Sequence, residues 1–92
     1  MAEEAFADGV VDFLLPAEGF AAGFARIVAG VGANAPLALR QAKRAIRAST
    51  AAGLGRGLAR ESSCYASLVP TRDRKEALQA FLERREPRWT GR

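Results

Sequence analysis

The sequence predicts a mainly α-helical chain of about four helices and one short strand. Three observations carry this. Phe20, Phe24, Ile27, Val28 and Val31 recur at helical spacing. Asn34 followed by Pro36 has the form of a helix start, because proline in the first turn displaces no intrahelical donor. Asp73 followed by Glu76 has the form of a reciprocal N-terminal cap, with Pro87 as the stop beyond the last turn.

Along the chain, AEEAFADG predicts a short helix closed by Gly9, and VVDFLL at residues 10–15 predicts a β-rich strand ended by Pro16. A lone strand has no ladder partner, so it lies on the surface or its sheet belongs to chain outside these residues. The next helix is expected over 17–31, with Gly32 as its C-terminal cap. Gly19, Gly23 and Gly30 each cost it about 1 kcal/mol against alanine, so packing must hold it.

The helix capped by Asn34 should continue to about Ala52, with Leu39, Ala42 and Ile46 as its buried line. Arg40, Lys43, Arg44 and Arg47 form a cationic strip on the other side. Such a strip is ordinarily a solvated face, and no aromatic residue is interleaved to stack bases; its functional reading is phosphate contact. GLGRG at Gly53 to Gly57 lacks both the Lys-Ser/Thr pair and the preceding strand of phosphate-binding loops, and reads as a helix-to-helix connection. A further helix over 56–69 should turn Leu58, Tyr65, Leu68 and Val69 inward before Pro70 breaks it. Cys64, Ser62 and Ser63 have no neighbouring base to activate them. The last helix is expected over 74–85. Ala77, Leu78, Phe81 and Leu82 form its stripe, and Arg84 stands one turn beyond Phe81. An aromatic face beside a guanidinium can take a stacked base and its phosphates, although such a Phe is more often core and such an Arg more often solvated.

A chain of 92 residues fits one small domain or a piece of a larger one. With no His and a single Cys, it has neither the usual zinc ligands nor a His-based triad, nor an internal disulfide. No signal segment opens it and its apolar runs are too short to cross a bilayer, so a cytoplasmic setting with no membrane contact is expected. The net charge of +4 is unevenly spread. Residues 1–33 carry five carboxylates against Arg26 alone, whereas residues 34–60 carry six basic groups and no acid. That asymmetry points to an anionic partner for the middle or to docking of one part on the other.

AEEAFADGVVDFLLP, NAPLALRQAKRAI and TRDRKEALQAFLERREPRWTGR, in this order and at these separations, resemble the C-terminal part of an enoyl-CoA hydratase of the crotonase superfamily. The likeness covers essentially the whole chain; Ala77 departs from it, since the family often has Gly there. It implies a missing core of ββα turns, with 1–33 as the end of the core and first helix. Residues 34–92 would be the helical segment that covers acyl-CoA and builds a trimer or hexamer, with a homo-oligomer or a separate core chain as partner. The family's catalytic glutamates and oxyanion-hole amides lie upstream of the matched part, so no catalytic residue and no metal ligand carries over. Glu3, Glu4 and Glu18 match other positions.

What the resemblance does carry over is Phe81 and Arg84, at positions that in some hydratases reach a neighbouring subunit's coenzyme A near its adenine and phosphates. Arg replaces the usual Lys, and it is a planar fork rather than a point charge. No covalently bound cofactor is implied; the coenzyme A thioester is the substrate carrier. The expectation is a truncated family chain, inactive alone. The alternatives are a freestanding helical module binding nucleic acid through its basic strip, or part of a related enoyl-CoA isomerase.

Overall fold

The computed structural model describes residues 1–92, the side chain of Ala51 excepted. It contains α1 (Ala2–Ala7), α2 (Phe20–Gly32), α3 (Pro36–Ala66) and α4 (Arg72–Glu83). A break at Gly53 divides α3 into two helical halves, so the mainly helical expectation holds with five helical segments, one for each helix traced along the sequence. No strand is present among the described residues. The chain divides into two units, Met1–Ala33 and Asn34–Arg92.

In the first unit the Met1 amine pairs with the Glu4 carboxylate at the start of α1, and Gly9 (φ 70°) turns the chain back. Residues 10–15 are therefore not a strand. The N–H groups of Val10 and Val11 both donate to the Ala5 carbonyl, at 2.8 and 3.3 Å, instead of to a ladder. Helix α2 starts later than predicted, behind Gly19 in the left-handed region (φ 76°). Gly23 has a packing reason: a Cβ there would lie 3.1 Å from Cδ2 of Leu15, so its absence lets Leu15 close on the helix. The stripe itself is outward. Phe20 and Phe24 stack at 6.2 Å between centroids, yet both remain more than half exposed, as do Val28 and Val31.

In the second unit α3 begins behind Ala35, not Asn34, and Pro36 takes the first helical position without any side-chain cap. The GLGRG connection shrinks to one residue. Gly53 (φ 72°, ψ 167°) breaks the helix, and residues 54–66 resume it at once. Ser49 then packs against the backbone of Gly57.

The expected inward line of this region is largely corrected. Ile46 is 65% exposed, Ala42 is exposed, and Leu58, Tyr65 and Val69 are each more than half exposed. Leu39 and Leu68 are half-buried, and Cys64 takes the buried position. The reason is shortage of covering surface. Among the described residues only Gly23, Gly57, Cys64, Asp73 and Ala80 are buried, so apolar side chains outnumber the places that can hide them.

Candidate functional site

Helix α4 and the segment after it carry a connected set of side-chain hydrogen bonds. Thr71, not Asp73, is the N-cap: its hydroxyl oxygen accepts from the N–H of Arg74 at 3.2 Å and donates to the Leu68 carbonyl at 2.6 Å. The reciprocal cap of Asp73 and Glu76 is thereby overturned, since both carboxylates are used elsewhere. One oxygen of Asp73 accepts the N–H and the hydroxyl of Thr90, at 2.7 and 2.9 Å, and the other accepts the N–H of Gly91 at 2.9 Å. Its own N–H donates to the Arg92 carbonyl at 3.0 Å. One turn on, Glu76 accepts the N–H of Arg88 at 2.8 Å and a two-pronged contact from the Arg85 guanidinium at 2.6 and 3.2 Å. Arg85 also pairs with Glu83. Two carboxylates three residues apart thus fasten the C-terminal segment back along one side of α4.

The electrostatics follow. The Arg85 hydrogen bonds, then the Arg88 N–H, hold the Glu76 carboxyl down at about 2. The Thr90 N–H leads the groups that lower Asp73. Arg85 is raised in turn, chiefly by Glu76.

Arg84 ends the helix in the left-handed region (φ 53°, ψ 44°). Its N–H bonds the Phe81 carbonyl at 3.2 Å, and the Arg85 N–H bonds the Ala80 carbonyl at 3.0 Å, closing the last turn. The two sequence-predicted site residues are therefore brought together at one helix end. Phe81 is 81% exposed, and no hydrogen bond or ion pair engages the Arg84 guanidinium. Leu82 (80% exposed) and Leu78 continue the apolar surface, while the inward side of α4 is Asp73, Ala77 and Ala80. Of the stripe expected to pack, Ala77 is half-buried, whereas Leu78, Phe81 and Leu82 are left uncovered.

Two cavities lie in the same unit. An open groove of about 630 Å³ runs between the halves of α3, walled by Ile46, Ser49, Leu54, Gly57, Leu58 and Glu61. A smaller one of about 220 Å³ is bounded by Leu37, Ala38, Leu68, Ala77 and Trp89. The cationic strip of Arg40, Lys43, Arg44 and Arg47 is exposed, with no ion pair to any of the four. Among the described residues no group of three or more His, Cys, Asp or Glu could hold a metal ion, and no single helix is long and apolar enough to cross a membrane.

The fastening of the tail is what sequence reasoning missed. Its signal was present as Asp73-x-x-Glu76 followed by a short Thr-Gly ending, but the same spacing fits a helix cap.

Comparison with known proteins agrees with this architecture. The family model described as enoyl-CoA hydratase/isomerase matches residues 1–92. Human mitochondrial methylglutaconyl-CoA hydratase is 50% identical over 56 residues, 61% of this chain and 16% of that protein. The 2,3-dehydroadipyl-CoA hydratase of Escherichia coli is 34% identical over 91 residues, 99% of this chain and 36% of that protein. The crystal structure of an enoyl-CoA hydratase from Bacillus anthracis superposes with a TM-score of 0.95 at 36% identity, covering 99% of this chain and 35% of that one. The chain spans about a third or less of the length of the curated relatives it matches.

Proposed function

Because the chain belongs to the enoyl-CoA hydratase/isomerase family, we propose that its residues form the acyl-CoA-covering and subunit-contacting part of an enzyme that hydrates 2-enoyl-CoA thioesters. The observation that carries this is the end of α4. Phe81 presents an open aromatic face, and Arg84, at the turn that ends the same helix, keeps an unpaired guanidinium, while another side of the helix is tied down through Asp73 and Glu76. An exposed ring and a free planar cation suit a base and its phosphates. Leu78 and Leu82 extend the surface into an apolar patch of the kind that meets a second subunit.

The same geometry argues that these residues bind without catalysing. Adding water across a conjugated thioester needs a base for the water, an acid for the α-carbon and donors for the enolate oxygen. The carboxylates ordered around α4 are spent: Asp73 on three donors, Glu76 and Glu83 on Arg85. A carboxylate held well below its ordinary pKa is a poor general base.

Coenzyme A titration of the full chain tests the reading. Measurable binding that is lost in Phe81→Ala and weakened in Arg84→Ala is the expected result, with crotonyl-CoA hydration by the chain alone at the buffer rate. Absence of coenzyme A binding, or equal binding by the Phe81→Ala variant, overturns the binding role. Turnover above the buffer rate overturns the claim of inactivity.

A further inference from the structure

Helix α4 ends on a residue type that its geometry does not favour. The left-handed position at such a helix end is ordinarily glycine, because a Cβ there crowds the following carbonyl. Every other residue with positive φ among the described residues is a glycine (Gly9, Gly19, Gly53 and Gly91), and Arg84 is the exception. A side chain is therefore kept at this point against a backbone cost, and such a conformation persists only where the surroundings over-determine it.

The surroundings here are the two carboxylates of α4. Glu76 grips the Arg85 guanidinium and the Arg88 N–H, and Asp73 grips Thr90 and Gly91, so the chain is held just after the turn and again at its end. The two adjacent arginines have opposite fates. Arg85 is consumed as a strut between Glu76 and Glu83, while Arg84 is exposed at the turn whose N–H bonds the Phe81 carbonyl.

We infer that Glu76 and Asp73 are positioning residues for Arg84. By fastening residues 85–91 along α4 they hold the left-handed turn, and so direct the Arg84 guanidinium toward the phosphates of a purine nucleotide whose base lies on Phe81. This rests on the binding role proposed above for Phe81 and Arg84, and adds the device that sets their geometry. A point charge needs little aiming, whereas a planar fork must meet phosphate oxygens in orientation, which is why a fixed turn matters more for Arg than for Lys.

The test compares affinities of the full chain for coenzyme A and for adenosine, which has the base and no phosphate, by NMR shift titration. Arg84→Gly is expected to raise the melting temperature, by removing the backbone cost, while weakening coenzyme A about fivefold and leaving adenosine unchanged. Glu76→Gln should weaken coenzyme A by a similar factor with adenosine again unchanged. The double variant should bind no worse than Arg84→Gly alone, since both changes remove one contact. If Glu76→Gln does not fold, Asp73→Asn serves with the same readouts, because it leaves the Arg85 pairs in place. Glu76→Gln or Asp73→Asn variants that bind both ligands as the unmodified chain does, or lose adenosine as much as coenzyme A, overturn the positioning role and leave the binding role standing. An Arg84→Gly variant that binds coenzyme A unchanged overturns the binding role of Arg84 itself. An unmodified chain that takes up no coenzyme A overturns both.

Discussion

Thr90 donates both its backbone N–H, at 2.7 Å, and its hydroxyl, at 2.9 Å, to the same oxygen of Asp73, a carboxylate only 2% exposed. A buried carboxylate is tolerated only when its lone pairs are filled, and here Gly91 fills the other oxygen. The pairing explains why the end of the chain, which has no helical structure of its own, follows α4.

Asp73→Ala removes all three acceptor contacts at once and leaves two backbone donors unpaired. The expected outcome is local release of the tail: exchange of the Thr90 and Gly91 amides accelerates on the order of tenfold or more, while α4 keeps its Thr71 cap. Site-resolved hydrogen exchange reads both. Unchanged exchange at Thr90 would remove Asp73 as the anchor.

Acid should open the same fastening. Glu76 is lowered from 4.5 to about 2 by Arg85 and then Arg88, and Asp73 is lowered by Thr90 and Gly91. A group whose folded pKa is depressed stabilises the fold above its ordinary value and stops doing so as pH falls through the folded one. The stabilisation is therefore complete above about pH 4.5 and lost on descent toward pH 2. Trp89, half-buried at the cavity that Leu68 and Ala77 also line, is the natural reporter. Its emission should shift to the red across that window in the intact chain, and at no pH in a Glu76→Gln, Asp73→Ala variant whose tail is already free.

The uncovered face of α4 predicts self-association. Phe81 and Leu82 are 81% and 80% exposed, so replacing either with Ser removes almost no intrachain packing and should change stability by less than about 0.5 kcal/mol. The same change should shift the sedimentation profile toward monomer, because the apolar patch is the surface that drives association. A profile identical to the unmodified chain's would place the contact elsewhere, with the groove between the halves of α3 as the next surface to test.

Periodicity and punctuation made the helices legible, because stripes at 20–31 and 77–82 and the prolines at 36, 70 and 87 act locally. Which face of each helix is covered was not legible. The stripe of Phe81 and Leu82 and the line of Ile46 and Leu58 were read as inward, but within these residues little exists for them to pack on. The strand at 10–15 failed for a related reason: composition favoured it, yet a strand needs a partner, and Val10 and Val11 turned to Ala5 instead. Phe81 and Arg84 could be named as a candidate pair from their spacing together with the resemblance, and the structure puts both at the exposed end of α4. The fastening of the tail to Asp73 and Glu76 was not legible, since contacts 17 residues apart leave no periodic trace.

Two glycines of the GLGRG run should respond to alanine with opposite signs. Gly53 has φ 72° and ψ 167°, a region open in practice to glycine alone, and no atom lies within 4 Å of where its Cβ would be. Gly53→Ala therefore costs backbone strain rather than a clash, about 1–3 kcal/mol, unless the two halves straighten into one helix and lose the seat of Gly57 on Ser49. Gly55 lies inside the resumed helix with equally open space around it, so Gly55→Ala removes only the glycine penalty and should stabilise by about 0.5–1 kcal/mol. Chemical denaturation of the two variants gives the signs. Circular dichroism separates the two routes for Gly53→Ala, since straightening raises the helical signal and strain does not. Destabilisation by both changes would mean that the run is held by something other than the backbone of Gly53.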